Sequence, residues 1–162
     1  MTFDSLDELK NYILTKSQVA IELAQEKVAM IINHFLTDYY KEFEPEVYVR
    51  TYQLLRSLIK SDVQYTGNGW VAEVYFDIGA LDYATRVVPA QFSWASSDNT
   101  YHRQPWDGGN TAWVLETAMT GGLPHGGYAG GTAIWTESMK ILDKQAIRIL
   151  NEKLIAAGIP VR

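Results

Sequence analysis

The stretch from His34 to Leu58, HFLTDYYKEFEPEVYVRTYQLLRSL, holds the change of pattern that decides the fold. Up to Tyr39 its apolar residues continue a helical spacing that begins well upstream. At Glu44-Pro45 that spacing has to stop, because proline lacks a backbone donor and its ring forces the preceding residue out of the α region. The next residues, Val47-Tyr48-Val49-Arg50-Thr51-Tyr52, are β-branched and aromatic and suit a pleated surface. The stretch therefore reads as a helix-to-strand corner. Arg50, flanked by Tyr48 and Tyr52, can stack and hydrogen-bond at once, with Asp38 or Glu42 as partner, so Pro45, Tyr48 and Arg50 are expected to be structural.

Upstream of the corner, Ser5-Leu6-Asp7-Glu8 has the S-x-x-E form of a capping box, which predicts a helix starting at Ser5. Leu6, Leu9 and Ile13 make its apolar stripe. The polar, partly β-branched run Thr15-Lys16-Ser17 predicts a kink or restart with Ser17 as a second cap, giving a short helix followed by a long one. In the long helix Ile21, Ala24, Val28, Ile31, Ile32, Phe35 and Tyr39 recur at three and four and form a core face. Ile31 and Phe35 are expected to pack within that core.

Downstream, Gln53 to Lys60 suits a strand or a short helical turn about equally. Asp62 to Thr66 and Trp70 to Asp77 flank Gly67-Asn68-Gly69 and predict an antiparallel hairpin. A third strand is expected at Tyr83 to Val88, ending at Pro89, and a fourth at Gln91 to Trp94. Two stretches, Ser96 to Gly109 and Gly121 to Gly131, are rich in glycine and aromatic residues and are expected to order only against a neighbour. A closing helix from Ala133 to about Ala157 places Trp135, Met139, Leu142, Ala146, Ile149, Leu150 and Leu154 on one face, with Gly158 and Pro160 as its stop. The arrangement predicts a single α+β domain over residues 1–162: a long N-terminal and a C-terminal helix packed on a small, mainly antiparallel sheet, with long loops.

Composition narrows the function classes. A chain of 162 residues can bury a sizeable core without staples. It has no cysteine, which excludes disulfide scaffolds, thiolate metal sites and cysteine nucleophiles. A formal charge of -5 and a pI near 5.1 argue against a groove that tracks phosphates. An acidic lining does suit a ring through which DNA slides without sticking. The opening MTFDSLDELK lacks the basic and apolar regions of a signal peptide, and no apolar run approaches a membrane span, so a soluble protein is expected.

The sequence offers no catalytic constellation. His102, Asp107 and His125 are the densest candidate group, but Pro105 between the first two excludes helical ligand spacing. His34 reads as a partly exposed helix residue. The glycines from Gly121 to Gly131 lack the lysine of a phosphate loop, and the serines from Ser93 to Ser97 lack a nucleophile elbow. No catalytic, metal-binding or cofactor-binding residue is expected, and the protein is read as a non-enzyme.

One family resemblance spans most of the chain. Tyr39-Tyr40, Phe43, Pro45, Tyr48, Arg50 and Thr51 resemble the aromatic, Pro- and Arg-bearing corner of the head-tail joining or tail-completion proteins of long-tailed bacteriophages. In that family a short sheet, an A-x-V-x-E-x-G segment and a last helix follow. Here Ala112-Trp113-Val114-Leu115-Glu116 is followed by Thr117 to Thr120 and then Gly121-Gly122 before the terminal helical pattern. The resemblance implies a structural virion protein assembled in the host cytoplasm, a neck or minor tail component forming a homo-oligomeric, possibly hexameric ring. Its partners would be copies of itself, head-completion or portal-side proteins and tail-tube proteins, with DNA only as passing cargo and no membrane. Tyr101, Trp106, Trp113 and Tyr128 are then the expected interface residues, because aromatic anchors dominate interfaces. The alternative is a binding module in which Trp94, Tyr101, Trp106 and Trp113 form an aromatic platform for carbohydrate or peptide.

Overall fold

A computed structural model describes residues 2–41, 52–80 and 133–161. In chain order these form α1 (Leu6–Lys41), α2 (Gln53–Arg56), β1 (Leu58–Lys60), β2 (Gln64–Tyr65), β3 (Trp70–Val71), β4 (Val74–Phe76), a 3-10 turn (Ile78–Ala80) and α3 (Ile134–Ala157). The class is α+β, with β1 paired to β4 and β2 paired to β3. The chain clusters into two compact units. Met1–His34, Leu58–Tyr75 and Ser138–Arg162 form the first, and Phe35–Ser57 with Phe76–Glu137 form the second.

In the first unit α1 begins as its sequence predicts. Ser5 Oγ accepts the Glu8 backbone N–H at 3.1 Å, while the Glu8 carboxylate accepts the N–H of Asp4 rather than that of Ser5, at 2.8 Å. Both halves of the cap are present, the second displaced by one residue. The expected restart at Ser17 does not occur, and α1 is one continuous helix of 36 residues. The Ser17 hydroxyl donates to the Ile13 carbonyl one turn back, so it is satisfied inside the helix and has no reason to open a new one.

The buried face of this part of α1 is carried by Ala20, Gln25 and Ile32. Ile31, expected in the core, is only half-buried, and Leu6 and Ile13 are 84% and 44% exposed. A rotation of 100° per residue separates Ile31 from Ile32, and the buried line passes through the second.

The hairpin is present but its arms are shorter than expected. Gln64 pairs with Val71 and Tyr65 with Trp70. The Thr66 N–H donates to Gly69 O at 2.9 Å, and Gly67 takes φ +89°, a conformation that explains a glycine there. The second arm breaks at Ala72-Glu73, and its remainder, β4, pairs with β1. Gln25 sits at the break, its Nε2 donating to Ser61 O at 2.9 Å and Glu73 O at 2.8 Å. Ser61 adds to the same knot, its N–H donating to Glu73 O and its hydroxyl accepting the Glu73 N–H.

α3 ends where Gly158 and Pro160 predict. Gly158 has φ +97°, its N–H donates to Ile155 O at 3.0 Å, and the Ile159 N–H donates to Leu154 O at 2.9 Å. This pair of bonds is the Schellman arrangement that closes a helix with a left-handed glycine. The buried residues of α3 are Ile134, Ser138, Leu142, Ile149 and Ala157. Leu142 and Ile149 are buried as expected, while Trp135 and Ala146, expected on the same face, are exposed; in the first turns the buried line runs through Ile134 and Ser138, one residue before Trp135 and Met139.

In the second unit Leu36, Tyr39, Leu54, Ser57 and Ile134 are buried, while Phe35, expected in the core, is half-buried. The ambiguous stretch after Tyr52 resolves into a helical turn followed by a strand. Tyr52 caps α2 in the left-handed region, φ 55° and ψ 26°, with its ring 5.2 Å from that of Tyr40. Ser57 is fully buried, donates its hydroxyl to Leu54 O at 2.8 Å, and accepts the Asp77 N–H on its own carbonyl at 2.7 Å. The corner residues Pro45, Tyr48 and Arg50, and the strands expected at residues 83–94, lie outside the described residues.

Candidate functional site

Within the first unit α1, the hairpin and α3 enclose an open groove of about 320 Å³. Leu14 and Ile21 of α1 and Leu150 and Leu154 of α3 supply its aliphatic lining, and Tyr65 and Trp70 its aromatic wall. The two rings sit 5.1 Å apart and are tilted by 56°, a geometry set by their opposed positions in the β2–β3 ladder. Trp70 is further fixed by its indole N–H, which donates to the Leu14 carbonyl at 3.0 Å. Tyr65 is fixed by its hydroxyl, which donates to Gly67 O at 2.8 Å. Asn68 and Ser17 bring polar atoms to the edge. Its lining is mainly apolar, with the polar atoms few.

Other surface features carry less chemistry. Glu26 and Lys60 form an ion pair, and its hydrogen bond and charge hold the Glu26 carboxyl below the usual carboxylate range. The pair is exposed on both sides, so solvent screens it. Val19, Leu23 and Met30 are exposed apolar residues at spacings of four and seven along α1. His34 is exposed on the same helix. Among the described residues no group of three or more His, Asp or Glu is placed to hold a metal ion. No described helix is long and apolar enough to cross a membrane.

The expected interface residues Tyr101, Trp106, Trp113 and Tyr128 fall outside the described residues, as do Trp94, His102, Asp107 and His125. Sequence reasoning missed two positions that organise the described part. Gln25 carried a legible signal, since it is a polar residue at helical spacing from Ile21, Val28 and Ile32, inside an otherwise apolar stripe. Tyr52 carried none, because a left-handed conformation at a tyrosine is imposed by its surroundings.

The described residues thus define an α+β protein of helix, small sheet and helix, with a groove lined by apolar and aromatic side chains. The chain belongs to the YomN family, whose model matches residues 5–157. That family is phage-derived, of the SPbeta prophage type, and marks the chain as a phage protein. No curated protein and no solved structure matches it.

Proposed function

We propose that the protein is a structural virion component, a ring-forming subunit of the head-tail connector or tail-completion apparatus that joins head to tail. The observation that carries this reading is membership of a phage-derived family over nearly the whole chain, residues 5–157. The resemblance of the segment from Tyr39 to Thr51 to the neck-protein corner supports a neck role among those open to a phage protein. The order of long helix, small sheet and terminal helix is compatible with it.

In this reading the function is mechanical. Copies of the chain close a ring around the DNA path, the acidic balance of the chain discourages DNA from sticking, and head-side and tail-tube proteins dock on its two faces. Tyr101, Trp106, Trp113 and Tyr128 serve as aromatic anchors between subunits. No catalytic step and no cofactor is invoked.

Light scattering coupled to size exclusion, run over rising protein concentration with and without cell-wall glycan, tests the proposal. Concentration-dependent association that is indifferent to glycan, and is lost in Trp106→Ala, is the expected result. A persistent monomer that binds glycan saturably overturns the ring and supports the aromatic-platform module.

A further inference from the structure

The first unit contains, at the start of α1, a segment without a buried residue. From residue 2 to residue 19 every residue is exposed or half-buried, and Ala20 is the first buried one among the described residues. Leu6, Ile13 and Val19 turn apolar surface to solvent. At Leu14 and Ser17 the segment borders the open groove instead of close-packed atoms. Beyond Ala20 the same helix changes character. Gln25 is buried and donates to the carbonyls of Ser61 and Glu73, beside the strands, and Ile32 is fully buried.

Two hydrogen bonds from elsewhere in the unit hold the segment among the described residues. Trp70 Nε1 donates to Leu14 O at 3.0 Å, and the Tyr12 hydroxyl donates to Gly158 O at 3.2 Å. The first lands where the helix ladder is already shared. Successive carbonyls, Ile13 and Leu14, each accept a side-chain donor, Ser17 Oγ and Trp70 Nε1. Side-chain donors on helix carbonyls compete with the backbone ladder and favour bending there. The next residues, Thr15-Lys16-Ser17, are the run whose sequence suggested a break.

We infer that residues 6–17 form an arm that opens locally while the rest of the unit stays folded, with its hinge at Thr15-Lys16-Ser17 and Trp70 of the hairpin as its latch. Local stability follows buried contacts, and the arm has few. Once undocked it is a helix of only about 12 residues, too short to persist alone in water. Opening widens the groove and uncovers Leu150, Leu154 and the Trp70 ring, apolar surface that the closed state partly covers. The inference does not depend on the proposed role in the virion.

Hydrogen exchange on the full-length protein, read amide by amide, tests it. The expected result is that amides 10–18 exchange much faster than amides 24–32 and respond little to low denaturant. In Trp70→Phe, which keeps an aromatic ring, though a smaller one, and loses the donor, exchange at 10–18 rises by at least about twofold to tenfold while 24–32 is unchanged, as the loss of one hydrogen bond to an opening unit predicts. Tyr12→Phe, which removes the second tether, gives the same pattern and serves if Trp70→Phe does not fold. Equal protection of the two segments in the wild type, or a parallel rise of both in the variants, overturns the inference.

Discussion

Tyr52 concentrates an unusual demand on one residue. A left-handed backbone at a side chain other than glycine or asparagine is disfavoured, and φ 55° places Tyr52 there while its ring rests against Tyr40. The two contributions separate by comparing two truncations. Both Tyr52→Ala and Tyr52→Gly lose the ring, but only glycine relieves the backbone, so the glycine variant is expected to be the more stable by about 1 kcal/mol. Denaturant titration of the pair checks this; an alanine variant as stable as the glycine variant removes the strain from the account.

Gln25 makes a different demand. Gln25→Leu keeps the bulk but removes two hydrogen bonds, the one to the Ser61 carbonyl and one of the two that the Glu73 carbonyl accepts, at a cost of about 1 to 3 kcal/mol. Chemical denaturation that finds less than half of the lower figure assigns those carbonyls to other donors. The neighbouring pair Glu26–Lys60 gives a pH signature. Because the folded-state pKa of Glu26 is lowered, its contribution to stability is present above the ordinary carboxylate pKa and is lost as pH falls through the lowered value. An NMR titration is expected to find the Glu26 midpoint below the usual range and to return it there in Lys60→Met.

At the scale of elements, α1 and α3 differ in how plainly they are written. The end of α3 is a local signal, since Gly158 followed by Pro160 stops a helix whatever it packs against, and the Schellman bonds lie where those residues put them. The hairpin tip is local in the same way. The continuity of α1 is less visible, because whether Ser17 caps a new helix or bonds back into the old one depends on a choice of hydroxyl partner.

Which face is buried is less visible again. Ile31 and Ile32 are both apolar and adjacent, as are Phe35 and Leu36, so spacing alone does not pick the centre of the stripe. Only Ile32 and Leu36 are fully buried. Ile32→Ala is therefore expected to cost about 2 to 5 kcal/mol and Ile31→Ala only about 1 kcal/mol. Equal losses in thermal or denaturant melts place the core face on both residues. The break between β3 and β4 was beyond local reading altogether, since it is fixed by Gln25 from a helix 36 and 48 residues away in sequence from the two carbonyls it grips. The candidate interface stood on aromatic residues in glycine-rich sequence, and these lie among residues 81–132, outside the described structure.

The match to a phage-derived family covers residues of both compact units. An acidic balance favours a part that DNA passes over one that grips it. The central claim, that the chain joins head to tail, is tested most directly by electron micrographs of the particles its phage makes when the gene is deleted. The account predicts DNA-filled heads and complete tails accumulating separately, with joining restored when the purified wild-type protein is added back; intact tailed particles in the deletion would contradict it.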